Sequence, residues 1–230
     1  MLIRDDDTRT PMIDLRLAGM LSLVAGALNA VGFEIAGLFS ANMTGNISAM
    51  ADDIANGRFG VALMFGLIFV VFVAGALTAG LAVEIGRQRG MRSIYALLVL
   101  GEGAVLMGVG GAGLLGWHLF DGLHVIFVLS FVLGLQNAVT TRISRARVRT
   151  THVSGIATDM GLALAGLWAG KLERARRLAQ LKLHGVTVTA FVVGGVLGAT
   201  VLSGLGWLSF CLWGVVLIGV AGRELAAAQG

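Results

Sequence analysis

Little in this 230-residue chain is able to lock or break a fold covalently: it has one cysteine, one proline and one tyrosine. A single Cys211 excludes a disulfide framework and a cysteine metal site, and in an apolar run a lone thiol behaves as a small hydrophobe. The single proline, Pro11, follows Thr10 at the head of the first apolar run, where the pair reads as a helix cap and first helical position. Charge is also scarce. Asp, Glu, Lys and Arg make up 13% of the chain, about half the density of an ordinary soluble domain. The net charge of +4 does not indicate nucleic acid, because the cations fall in short blocks between apolar runs without interleaved aromatics. The opening "MLIRDDDTRTPMIDLR" is too polar and too long before its first apolar run for a cleaved signal peptide, so the first span is expected to stay.

What remains is 57% hydrophobic, with a mean hydropathy of +0.87. Apolar runs that can cross about 30 Å of hydrocarbon end at Phe33 or start at Phe59, Ser93 and Val125. Two more share the uncharged stretch from Gly185 to Gly222, which breaks at "SGLG", Ser203 to Gly206. The expectation is an all-α polytopic membrane protein of six spans in a single domain over residues 1–230. With the N-terminus cytoplasmic, 16 of the 17 Lys and Arg residues, from Arg4 to Arg223, lie on the inside and only Arg58 lies outside. Both termini are then cytoplasmic. Two further segments, "TGNISAMADDIANG" and "SGIATDMGLALAGLWAG", would spoil this bias to 10 against 7 if they crossed. Each is therefore read as a re-entrant, broken helix, which is tolerated only inside protein or along a wet cavity.

The two halves resemble each other. "LNAV" at Leu28 matches "QNAV" at Gln136, "NMTGNIS" at Asn42 matches "HVSGIAT" at His152, and "FVAGALTAG" at Phe72 matches "FVVGGVLGA" at Phe191, with offsets of 108, 110 and 119. Halves of three spans each, taken as 12–116 and 121–222, must be inverted relative to one another, and such repeats place sites near their pseudo-twofold axis. The extra residues fall in the basic linker "KLERARRLAQLKLH". Thr44 lies eight residues from Asp52, about 12 Å of helix, which puts it near the midplane if Asp52 and Asp53 rest at the surface. His152 follows Arg149 by three residues, so the second motif is either shallower or lies in a wet cleft.

Thr44-Gly45 and Ser154-Gly155 suit capping of the two re-entrant helices, whose N-termini would then offer N–H donors and partial positive charge to an anion or carboxylate. The expected binding residues are Asn42, Thr44, Asn46, His152, Ser154, Thr158 and Asp159. Asp159 and Glu102, the latter near mid-span where a charge is costly, are the expected proton- or ion-coupling groups. Asn29 and Asn137 are expected to bond between spans, Gly75, Ala79, Gly194 and Gly198 to allow close helix packing, and Asp52, Asp53 and Glu84 to sit at the interface. Ser154, His152 and Asp159 are also the residue types of a hydrolase triad, but they lie on one short segment and Thr44 has no His counterpart. The chain is therefore not read as an enzyme.

The strings "LFSANMTGN", "LGLQNA" and "RTTHVSGIATD" resemble the YoaK family of bacterial inner-membrane proteins of unknown function, across nearly the whole chain. The resemblance implies a six-span protein of the bacterial inner membrane and no particular substrate. The residues themselves favour a small-solute transporter or channel, over a non-transporting scaffold or sensor and over an intramembrane hydrolase. The expected partners are the lipid bilayer and a small solute, with a homo-oligomer left open, and neither a metal nor another cofactor is called for.

Overall fold

The computed structural model describes residues 1–3, 9–117, 122–168 and 170–229, without the side chains of residues 171, 172, 228 and 229. Arg4 of the charge count and Asp121, the expected start of the second half, lie outside them. Among the described residues eight α-helices follow in order: α1 (Pro11–Ala36), α2 (Met43–Ala55), α3 (Phe59–Gln88), α4 (Ile94–Leu114), α5 (Leu123–Ile143), α6 (Val153–Ala165), α7 (Lys171–Leu205) and α8 (Leu208–Gln229). There is no strand among the described residues. Six of these helices are, among the described residues, long and apolar enough to cross a bilayer: all but α2 and α6. The chain is an all-α, multi-pass membrane protein.

Two expected boundaries move. The basic stretch Lys171 to His184 is not a linker but the first part of α7, a 35-residue helix. Its Leu172, Leu178, Leu181 and Leu183 intersperse the cations, and an Arg177–Glu173 pair at 2.8 Å bridges one turn. The last helix also runs past Gly222 to Gln229. The break at Gly206, in contrast, stands: its φ of 52° ends α7 in a conformation only glycine adopts without strain.

The helices pack as α1 on α7, α3 on α5 and α4 on α8, with α2 against α3, α6 against α7, and α1 meeting α5. These six contacts are unchanged when α1–α4 are exchanged for α5–α8, whereas α4 also packs on α5 with no α8–α1 packing among the described residues to match it. The first pair becomes the second, α2 on α3 becomes α6 on α7, and the α4–α8 and α1–α5 contacts map onto themselves. The closest approaches repeat the exchange residue by residue. A Cβ on Gly194 would land on the Leu23 carbonyl oxygen and one on Gly26 on that of Phe191; likewise Gly75 abuts the Phe131 carbonyl and Gly134 that of Phe72. The offsets are again 108 for α1 to α5 and 119 for α3 to α7. Bare glycines let two helices touch backbone to backbone, which is how spans gain packing energy where lipid supplies no hydrophobic drive. The expected role of Gly75 and Gly194 therefore holds, and Gly198 meets Ala27 in the same way.

The outer faces of α3 and α7 carry exposed Leu63, Val70, Leu77, Leu81, Val192 and Val196, the surface a hydrocarbon solvent covers. At the other extreme, α1 and α5 form the centre. Leu17, Leu21, Leu28, Leu129, Leu133 and Val139 are fully buried there.

Candidate functional site

The first re-entrant segment begins where α1 stops. Gly37, at φ 69°, sends its N–H to the Phe33 carbonyl at 2.7 Å and turns the chain back. The Phe33 and Phe39 rings then stack with centroids 4.5 Å apart. The buried Asn29 Oδ1 accepts from the Ala41 N–H at 2.9 Å. Asn29 lies seven residues before the end of α1, so the chain has returned about 10 Å along the helix before α2 starts. The Asn29 bond thus satisfies a loop N–H that lipid could not. It runs from helix to loop rather than between spans as expected.

The helix caps also differ from expectation. Asn42, not Thr44, is the N-cap of α2, its Oδ1 accepting from the Gly45 N–H at 3.2 Å. His152, not Ser154, holds the same place on α6 and makes no side-chain cap bond. Thr44 and Ser154 are second residues of their helices, already helical, so their hydroxyls cannot fold back onto the first turn. Gly45 and Gly155 have a related use: a Cβ on either would strike the Asn42 amide or the His152 ring. Each glycine gives the cap side chain room to lie over the first turn.

In the second half, the Ser144 Oγ donates to the Thr140 carbonyl at 2.6 Å and accepts from the Val148 N–H at 2.9 Å. Arg145 and Ala146 adopt φ of 51° and 63°, and Arg145 stands 108 residues after Gly37. A left-handed turn reverses the chain in both halves, through one residue at Gly37 and two at Arg145 and Ala146. The loop is fastened by Arg147, which pairs at 3.0 Å with Asp14, a buried carboxylate that also takes Arg9 at 2.7 Å. Asp14 escaped the sequence reading because its sequence position suggests only a first-turn acid.

The two reversals open on one cavity of about 590 Å³. Its polar lining pairs Asn29 with Asn137, Asn42 with His152 and Thr44 with Ser154, and its aromatic lining pairs Phe72 with Phe191. These are the positions related by the offsets of 108, 110 and 119. His152 and Ser154 share the cleft with Asn42 and Thr44. Both helix N-termini face it. On α6 the first three N–H groups precede the first helical bond, from Ile156 to the His152 carbonyl, and receive no side-chain cap. The Asn137 Oδ1 is buried without a hydrogen-bond partner. No Asp, Glu, Lys or Arg lies among the lining residues.

Four expected site residues lie outside this lining. Asn46 points to the loop, its Nδ2 donating to the Phe39 carbonyl at 3.3 Å. The Thr158 hydroxyl donates to the Ser154 carbonyl at 3.3 Å on the exposed side of α6. The Asp159 side chain is 50% exposed and lies 3.9 Å from His184 Nε2 of α7, so it neither reaches the cavity nor orients His152. Glu102 is buried on α4, beside Gln136. The sequence reading missed the lining residues Phe39, Ser48, Thr151 and the Phe72–Phe191 pair. The last was legible, because both phenylalanines open the third repeated string.

A family model described as protein of unknown function (DUF1275) matches residues 17–222. No curated protein and no solved structure matches the chain.

Proposed function

This chain belongs to the DUF1275 family of proteins of unknown function, which includes the YoaK family, and we propose that it is a small-solute carrier or channel of the bacterial inner membrane. The observation that supports this reading is the single cavity shared by two helix N-termini and lined by symmetry-related Asn, Thr, Ser and His side chains. Irregular backbone at membrane depth is otherwise a cost, and lining a path for solute is its commonest use. We take the two halves, 12–116 and 121–222, as inverted repeats whose alternate opening would expose the cavity to either side. Backbone N–H groups, hydroxyls and amides without a carboxylate favour a small anion or the carboxylate of a zwitterion. The reading assigns no chemical step and no cofactor. With Asp159 beside His184, the carboxylate that a Ser154–His152 hydrolase would need is engaged elsewhere.

The test is flux in liposomes carrying the full chain, using chloride, nitrate, phosphate, succinate and glycine as probes. At least one probe is expected to move, and Thr44→Val and Asn137→Leu in folded protein are expected to slow it at least tenfold. Flux that survives both substitutions sinks the site. Silence across the panel, with and without a proton gradient, leaves the scaffold or sensor reading ahead, and covalent capture of Ser154 by a serine-reactive probe turns the assignment toward hydrolysis.

A further inference from the structure

One buried carboxyl is unaccounted for by the cavity or by packing. α4 and α8 cross at Gly103 and Gly214, where a Cβ on either would lie 2.8 Å from the other's carbonyl oxygen. This reciprocal crossing has an offset of 111, which makes Trp213 the counterpart of Glu102. Symmetric packing thus calls for no acid there. Glu102 is 2% exposed, with neither carboxyl oxygen in a hydrogen bond of full geometry, and lies eight residues into α4, about 12 Å from its start. Gln136 of α5, fully buried and with both amide atoms equally unpartnered, stands beside it. Trp213 of α8 is buried too, its Nε1 without a partner. Among the described residues, no charged group of α3, α5 or α8 is found acting on Glu102; Gln136 is the neighbour that does.

Gln136 is followed by Asn137, whose side chain lines the cavity. Consecutive residues stand about 100° apart around a helix, so α5 presents one amide to Glu102 and the next to the solute path. We propose that Glu102 is the proton-binding group that couples this path to a proton gradient; the proposal rests on the transport reading above. In the closed seam the protonated carboxyl lies beside the Gln136 amide, out of contact with water. When solute engages Asn137 and α5 shifts, water reaches the seam and the Glu102 O–H bond breaks. The proton leaves on one water as hydronium, and the carboxylate is held by a second water and by Gln136 Nε2. Protonation from the opposite side restores the neutral group. Asp159, half-exposed beside His184, is not the coupling group.

The experiment compares wild type, Glu102→Gln and Gln136→Leu in liposomes with a trapped pH dye and the five probes named above. Glu102→Gln is expected to keep passive exchange of the moving probe within about twofold and to lose proton-driven accumulation and proton movement at least tenfold. Gln136→Leu is expected to weaken both proton readouts. Accumulation in Glu102→Gln equal to wild type overturns the proposal. Failure of the transport reading is recognised separately, as no exchange by wild type, and infrared difference spectra of the protein in nanodiscs then decide. A protonated-carboxyl band that is absent in Glu102→Gln, shifts in deuterium oxide and fades as pH rises supports an exchangeable proton on Glu102. A band indifferent to pH and to deuterium overturns it, as expected of a carboxyl that only fills space.

Discussion

Gly194 and Gly195 are adjacent and chemically identical, yet their surroundings differ sharply. A methyl on Gly194 meets the Leu23 backbone, whereas one on Gly195 finds ordinary contacts at 3.7 Å and 3.9 Å. Gly194→Ala must therefore push α7 off α1, at a cost of about 1–3 kcal/mol or more, while Gly195→Ala gains helix propensity of up to about 1 kcal/mol. Thermal unfolding in detergent should show the first variant clearly destabilised and the second unchanged or stabilised. Ala146 offers the opposite case. Its φ of 63° carries a left-handed penalty of about 1–2 kcal/mol, partly offset in Ala146→Gly by the added freedom of the unfolded chain. The expected net result is a modest rise in unfolding temperature. The small polar motifs drew attention to Thr44 and Ser154 in the sequence, but the cap role fell to the residues two places earlier. One-letter patterns cannot separate a cap from the second helical residue, since the difference is a backbone angle.

At the level of elements, the re-entrant helices depend on few bonds. α2 buries only Asn46 and Asp53, and its approach is held by the Asn29–Ala41 bond. Asn29→Leu leaves that buried N–H unsatisfied, at about 1–3 kcal/mol. The loop should loosen, with faster amide exchange confined to residues 37–46 and lower flux. Gly45→Ala and Gly155→Ala should act more gently on stability, because the atoms displaced are the mobile ends of Asn42 and His152. For Gly45→Ala the expected cost is that of a lost cap, about 1 kcal/mol; for Gly155→Ala, where no cap bond is made, flux should fall with little change in unfolding temperature. The helices α3 and α7 were readable as continuous apolar runs. The basic head of α7 has the charge density of a linker, and only its leucine spacing marks it as helix.

For the whole molecule, the exchange symmetry of the contacts and the distribution of cations make a joint prediction. The ends of α2 and α4 and the α7–α8 turn should face away from the cytoplasm, and both termini should face it. Alkaline phosphatase fused after Asn56 or Leu205 should be active, and a fluorescent protein fused at Gln229 should be bright; the reverse pattern would overturn the orientation. Arg58, the one cation assigned to the outer side, is neutralised locally by Asp52 at 2.8 Å and by Asp53, so it does not weaken the bias.

The sequence by itself determined the number of spans, the two shorter segments between them and the repeat offsets. These depend on local quantities: the length of an apolar run, the placement of Lys and Arg, and the order of short strings. Only the tertiary structure decided which polar residues share a cavity. Asn29, Asn137, Thr44 and Ser154 meet because glycines bring α1 onto α7 and α3 onto α5 at backbone distance, while Asp159 and Glu102, equally prominent in the sequence, are turned to His184 and Gln136. A side chain's direction follows from helix phase and from the crossing of helices far apart in the chain. Neither is encoded in the residue's immediate neighbours.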